Sequence, residues 1–149
     1  MLGIVPLKTI ESLINKLNQR TPEFIGILGG RIVGLDLEER KITFEFTVPL
    51  AYCHSNDVVQ GGFVTAMVDA AMSHSLFGTD NTVIGVATLE ISTRFLGVTR
   101  GEQKLTVSGW VRRVTYRTAF LESEIQSNTG ELLVTAQSIA KITRNQKNK

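Results

Sequence analysis

With 149 residues, three prolines and a single cysteine, the chain has the length of one domain and cannot form an internal disulfide or a cysteine zinc cage. Hydrophobic residues at 42% against 20% charged exclude a disordered or fibrous chain, and a formal charge of +2 is too small to argue for nucleic acid. No run reaches the roughly 18 apolar residues of a spanning helix, and the apolar start over residues 1–7 meets Lys8 and Glu11 without a small-residue cleavage site. Neither a membrane span nor a signal peptide is therefore expected, which suits a cytoplasmic protein in which Cys53 is a small packed side chain.

Near the start, Ile10, Leu13, Ile14 and Leu17 fall at helical spacing. Thr9 is placed as N-cap and Thr21-Pro22 as the end of this packing helix. Over residues 24–48 two strand-like runs follow. Ile32, Val33, Leu35 and Leu37 lead to a Glu38-Glu39-Arg40 turn, and Ile42, Phe44, Phe46 and Val48 then alternate with Thr43, Glu45 and Thr47, the signature of a strand with one buried face. Periodicity is lost over residues 51–59.

Gln60-Gly61-Gly62 then opens an apolar run, residues 63–77, that reads as a helix. Val64, Met67, Val68, Ala71 and Ser75 follow an i, i+3, i+4 pattern, while Thr65, Asp69 and Ser73 form a separate polar stripe. Such a helix can lie against a sheet and show one polar line to a narrow cleft. Residues 78–81 read as a turn. Four strands are expected at 82–98, 103–114, 119–127 and 132–142, with turns at Arg100-Gly101-Glu102 and Asn128-Thr129-Gly130, and a polar, frayed tail at 144–149. The order implies an α+β fold, one antiparallel sheet with a helix packed on it, in a single domain whose first 22 residues form a helical extension.

A glycine pair at a helix start offers bare N–H groups to an oxyanion, and a carboxylate in an apolar helix is a candidate base or nucleophile. Eight residues of helix rise separate Gly61 from Asp69 by about 12 Å, too far for both to serve one carbonyl. A two-fold dimer with antiparallel helices would bring Gly61 of one chain opposite Asp69 of the other, giving two equal sites. The structural alternatives are a carboxylate bonded to a loop for Asp69 and close packing for the glycines. His74 lies off the polar stripe and reads as a satisfied histidine. Two histidines and one cysteine show no ligand spacing, so no metal is expected.

These residues carry a resemblance. Val59-Gln60-Gly61-Gly62-Phe63 through Met67-Val68-Asp69, Thr88-Leu89-Glu90-Ile91, and the ending Gly130-Glu131-Leu132-Leu133-Val134-Thr135-Ala136 resemble the PaaI-type hotdog-fold acyl-coenzyme A thioesterases, over about residues 30–142. The resemblance implies a sheet wrapped around the central helix, double-hotdog dimers assembled into homotetramers, and hydrolysis of acyl-coenzyme A with no cofactor besides the coenzyme A of the substrate. It gives Asp69 the role of catalytic carboxylate, which activates water or attacks directly, and Gly61 that of the carbonyl-polarising amide. Thr88 or Ser73 would orient the attacking water, and Gln60 stands where members carry His or Gln. The family's loop amide, fifteen residues before the carboxylate, falls on His54, with Asn56 two residues later as the alternative; both stay open. For the phosphates of coenzyme A, Arg112, Arg113 and Arg117 around Val114-Thr115-Tyr116 are the candidates, with Tyr116 or Trp110 as a possible adenine stack. Two rival functions remain: a non-catalytic acyl-coenzyme A binding or sensing module, which the altered His54 loop favours, and a hotdog dehydratase, which the Gln60-Gly61-Gly62 start argues against.

Overall fold

A computed structural model describes residues 5–146; the first four residues of the apolar start and the last three of the tail lie outside it. Helix α1 spans Leu7–Asn18. Its N-cap is Pro6 and not Thr9, whose own N–H donates to the Pro6 carbonyl at 2.9 Å and so belongs to the first turn. The apolar stripe of α1 is only half-buried. The helix is clipped down by Asn18, whose Nδ2 donates to Ile32 O at 2.9 Å while its Oδ1 accepts from Ile32 N at 2.8 Å. The expectation of strand from residue 24 is corrected by a short helix, α2, at Glu23–Ile27. Pro22, with φ fixed at −55°, starts it, and its middle residue Ile25 is fully buried.

Strands β1 (Gly30–Asp36) and β2 (Lys41–Thr47) form the expected hairpin. The turn is closed by Asp36 Oδ1, which accepts from Glu39 N, and by Arg40 at φ 49°. Alternation in β2 buries Ile42, Phe44 and Phe46. The stretch without periodicity is ordered by its backbone. A 3-10 turn at Leu50–Tyr52 leads to a two-strand hairpin, β3 (Cys53–His54) with β4 (Val58–Val59), whose turn sets Ser55 and Asn56 at positive φ.

Helix α3 runs Gly61–Thr79, longer than expected at both ends. Gly78 and Thr79 are helical, not turn, because the Thr79 hydroxyl bonds back to Ser75 O at 2.6 Å and the chain breaks only at Asp80. Nine residues of α3 are buried, and Thr65, Asp69 and Ser73 are half-buried along one line, as the spacing predicts. No described helix is long and apolar enough to cross a membrane.

The remaining strands are β5 (Val83–Phe95), β6 (Lys104–Val114), β7 (Thr118–Gln126) and β8 (Leu132–Arg144). One antiparallel sheet in the order β1-β2-β6-β7-β8-β5 wraps α3, the arrangement the resemblance implies. Helix and sheet meet most closely at Gly109 of β6, where a Cβ would lie 2.3 Å from the Ala71 carbonyl oxygen. Only a glycine lets the two backbones approach this far.

The tail expected to fray from residue 144 is instead anchored at its first residue. Arg144 Nη1 donates to Asp80 Oδ2 at 2.7 Å and to the Thr82 hydroxyl, its Nε donates to Tyr116 O, and its guanidinium lies over the Tyr116 ring. One arginine thereby ties the end of β8 to the end of α3 and to the β6–β7 turn. The aromatic Tyr116 is thus occupied by a cation. Trp110 neither fills the core nor stands free, since its Nε1 donates to Glu122 at 3.0 Å and Lys41 lies over its ring.

Candidate active site

The polar line of α3 faces β5, and the two elements run past each other as a seam. Gly61 lies under the Phe95 ring, with a Cβ at Gly61 meeting that ring at 3.5 Å. One turn on, the Thr65 hydroxyl bonds the Thr93 hydroxyl at 3.2 Å. A further turn on, the Thr88 hydroxyl donates to Asp69 Oδ1 at 2.7 Å. A hydroxyl donor this close fixes the orientation of the carboxylate, leaving Oδ2 for another partner.

Phe95, Thr93 and Thr88 could not all face α3 in a regular strand, because 95 and 93 share a face that excludes 88. The structure resolves this with a bulge. The register with β8 slips between Thr88 and Glu90, so Leu89 is the extra residue and the strand changes phase. The bulge re-aims Thr88 at Asp69 and leaves Leu89 65% exposed. Thr93 and the contact of Phe95 with Gly61 are the parts of the seam that sequence reasoning missed; Leu89-Glu90-Ile91 alternates without a break, so nothing in the pattern marks the bulge.

At the start of α3 the backbone donors are unequally used. Gln60, the N-cap, accepts from Gly62 N through its side-chain Oε1 at 2.7 Å, and its carbonyl accepts from Phe63 N and Val64 N at 2.9 and 3.2 Å. Of the first four N–H groups of the helix, Gly61's is therefore the one without an acceptor among the described residues. It sits at the positive end of the helix dipole, beside the apolar Phe95 ring. The structure thus gives Gln60 a capping function.

Gly61 and Asp69 stay about 12 Å apart along the unbroken helix. Ser73 lies one turn beyond Asp69, half-buried, with no side-chain hydrogen bond among the described residues. His54 and Asn56 are both exposed on the β3–β4 turn. The His54 Nδ1 meets the Ser55 hydroxyl at 3.1 Å, and no hydrogen bond joins either residue to Gly61, Asp69 or Thr88. Arg112, Arg113 and Arg117 are exposed at the β6–β7 turn, with Arg112 3.8 Å from Glu122. They share the end of the sheet that carries Arg144 and Asp80, while Gly61 and Phe95 occupy the other.

Two further groups have perturbed acidity. His74 is buried, and burial holds its imidazole below the ordinary histidine range; its Nδ1 lies 2.8 Å from Ala70 O, which satisfies it as expected. Burial pushes the Cys53 thiol up, and its Sγ lies 3.7 Å from Pro49 O, the setting of a packed side chain and not of a nucleophile.

The same fold recurs in known proteins. A phenylacetic acid degradation-related protein of Ralstonia eutropha JMP134 superposes with a TM-score of 0.77 at 22% identity, over 87% of this chain and 98% of that one. The PaaI protein of the Escherichia coli phenylacetic acid degradation operon gives 0.78 at 15% identity over 93% and 96%, and a Haemophilus influenzae thioesterase gives 0.77 at 17% over 91% and 93%. At these identities the likeness shows the fold. No curated protein sequence matches the chain. The model of the thioesterase superfamily matches residues 56–134, more than half of the chain and the whole of α3 with its seam. This chain has the hotdog fold and belongs to the thioesterase superfamily.

Proposed function

We propose that the protein is an acyl-coenzyme A thioesterase with two sites per homodimer, each built from Asp69 and Thr88 of one chain and the Gly61 N–H of the other. The observation that carries the reading is the pairing, on one helix, of a single uncommitted N–H at its start with a hydroxyl-held carboxylate two turns on. The Gly61 N–H polarises the thioester carbonyl; Asp69, held by Thr88, takes a proton from water as its oxygen adds to the carbonyl carbon. The C–S bond then breaks, and the proton passes from Asp69 to the departing thiolate, giving free acid and coenzyme A thiol.

The dimer is supported by β5, which pairs with β8 on one edge and has no partner on the other among the described residues. Ile84, Leu89 and Phe95 are exposed along it, at 61%, 65% and 53%. A long apolar edge strand left open in solution is a template for a second copy. Arg112, Arg113 and Arg117 are proposed to meet the phosphates of coenzyme A.

Asp69→Asn is expected to lower kcat/KM for thiol release by about two orders of magnitude while the unfolding midpoint stays put. Thiol release is read with a disulfide chromophore over a panel of acyl-coenzyme A thioesters. Turnover near that of the unsubstituted protein would sink the role of Asp69. Tight binding of the same thioesters without any thiol release would favour the binding-module reading, to which the exposed His54–Asn56 turn lends itself.

A further inference from the structure

Beyond Asp69 the seam does not end at the surface. Asp69, Ser73 and Phe77 continue along one stripe of α3 at spacing four, and at Phe77 the stripe opens into a cavity of about 610 Å³. Its walls are Leu17 and Pro22 from the α1–α2 region, Phe77 from α3, and Val83 and Ile84 from the start of β5. The exposed side chains of Arg20 and Asn81 stand at its rim. One buried polar side chain faces this apolar space, His74, which is 8% exposed.

The ring of His74 is fixed on three sides. Phe44 and Phe77 meet it edge-on, at centroid distances of 5.5 and 5.8 Å. Its Nδ1 lies 2.8 Å from the Ala70 carbonyl oxygen, which can only accept, so Nδ1 carries the proton. Nε2, on the opposite side of the ring, is then a lone-pair acceptor, and no hydrogen bond satisfies it among the described residues. Nε2 is not sealed in the core: His74 lines the cavity, and an unbonded acceptor on an apolar wall favours a ligand that brings a donor over one that does not.

We infer that His74 is a specificity-determining residue at the far end of the acyl groove, whose Nε2 selects acyl chains tipped with a hydroxyl. The identity of the entering chain rests on the thioesterase reading. Five residues of helix rise set His74 about 7.5 Å beyond Asp69, and Phe77 lies about 12 Å beyond it, so the chain reaches past the reacting carbonyl along Ser73. A neutral imidazole accepts from a hydroxyl and repels a carboxylate, and burial, which opposes protonation of His74, keeps it neutral.

The test is binding of non-hydrolysable thioether analogues of acyl-coenzyme A to the full chain, measured by calorimetry. Plain, hydroxyl-tipped and carboxylate-tipped chains are compared over a series of lengths. At the length that reaches the cavity, the hydroxyl-tipped analogue is expected to bind about tenfold more tightly than the plain one. His74→Phe, which keeps an aromatic ring between Phe44 and Phe77, should bring that ratio to about one. Asn81→Trp, which narrows the cavity from its exposed rim and lies off the β5 edge, should abolish the same preference. Equal binding of plain and hydroxyl-tipped chains at every length, or preference for the carboxylate, overturns the inference. Thiol release is followed separately: preference without hydrolysis would refute the thioesterase reading alone, and hydrolysis without preference this inference alone.

Discussion

Asp69 owes its direction to one hydroxyl. If Thr88 positions the carboxylate, Thr88→Val should lower kcat about tenfold with KM little changed, and Thr88→Ser should restore it, since serine keeps the donor and valine only the shape. A purely structural role would move the unfolding midpoint as well. His74 makes a separate prediction about stability. Its folded pKa lies below the unfolded value of 6.5, so between the two the unfolded chain binds more protons than the folded one. Stability is therefore full above about pH 6.5 and falls as pH drops through the lowered folded value. Denaturant titrations at descending pH should show this acid limb, and His74→Phe should flatten it. Neither effect was legible before the structure: the stripe Thr65, Asp69, Ser73 was readable from spacing alone, but which hydroxyl would reach Asp69 depended on a bulge that no local preference announces.

At the scale of elements, the longer ones could be read directly. β2 alternates strictly, α3 is apolar with one polar line, and each lies within about two residues of its expected place. The misread pieces are those where a few backbone or long-range side-chain bonds outweigh pattern. α2 forms because Pro22 starts a turn, and β3–β4 because two residues accept positive φ. Arg144 is held by groups more than sixty residues away at Asp80 and Thr82. Burial pushes the Asp80 carboxyl up, but hydrogen bonds from Thr82 and Arg144 outweigh it and hold it below 3.8. The clamp is thus intact above that pH and is lost as pH falls through the lowered folded value. Arg144→Ala is expected to cost about 1.5–3 kcal/mol at neutral pH, and less in strong acid where Asp80 is already protonated. The backbone contact at Gly109 gives a second test. Gly109→Ala forces α3 off β6 and should destabilise by about 1–3 kcal/mol or more in a denaturant melt.

On the scale of the whole molecule, the claim that each site is shared between chains can be tested by complementation. Gly61 is the first helical residue, where proline is tolerated, and Gln60 before it, at φ −61° and ψ 136°, already has the backbone that proline demands of its neighbour. Gly61→Pro therefore removes the N–H while keeping the helix. Mixed with Asp69→Asn after unfolding and refolding together, two inactive chains should regain about a quarter of the normal activity, because half of the dimers carry one intact site of two. Recovery of nothing would place both groups in one chain.

The cap on α3 also limits what the helix start can hold. A phosphate presents several oxygens and is bound at helix starts by several N–H groups together. Here Gln60 has claimed three of the four, and the one left over can serve a single oxygen. On the proposed function, one acyl-coenzyme A molecule would bring both kinds of oxygen, and a helix start with one open donor suits the lone carbonyl oxygen and leaves the phosphates to the proposed arginines. Gln60→Ala, by releasing Gly62 N–H, should make this a less discriminating port, seen as stronger inhibition by inorganic phosphate.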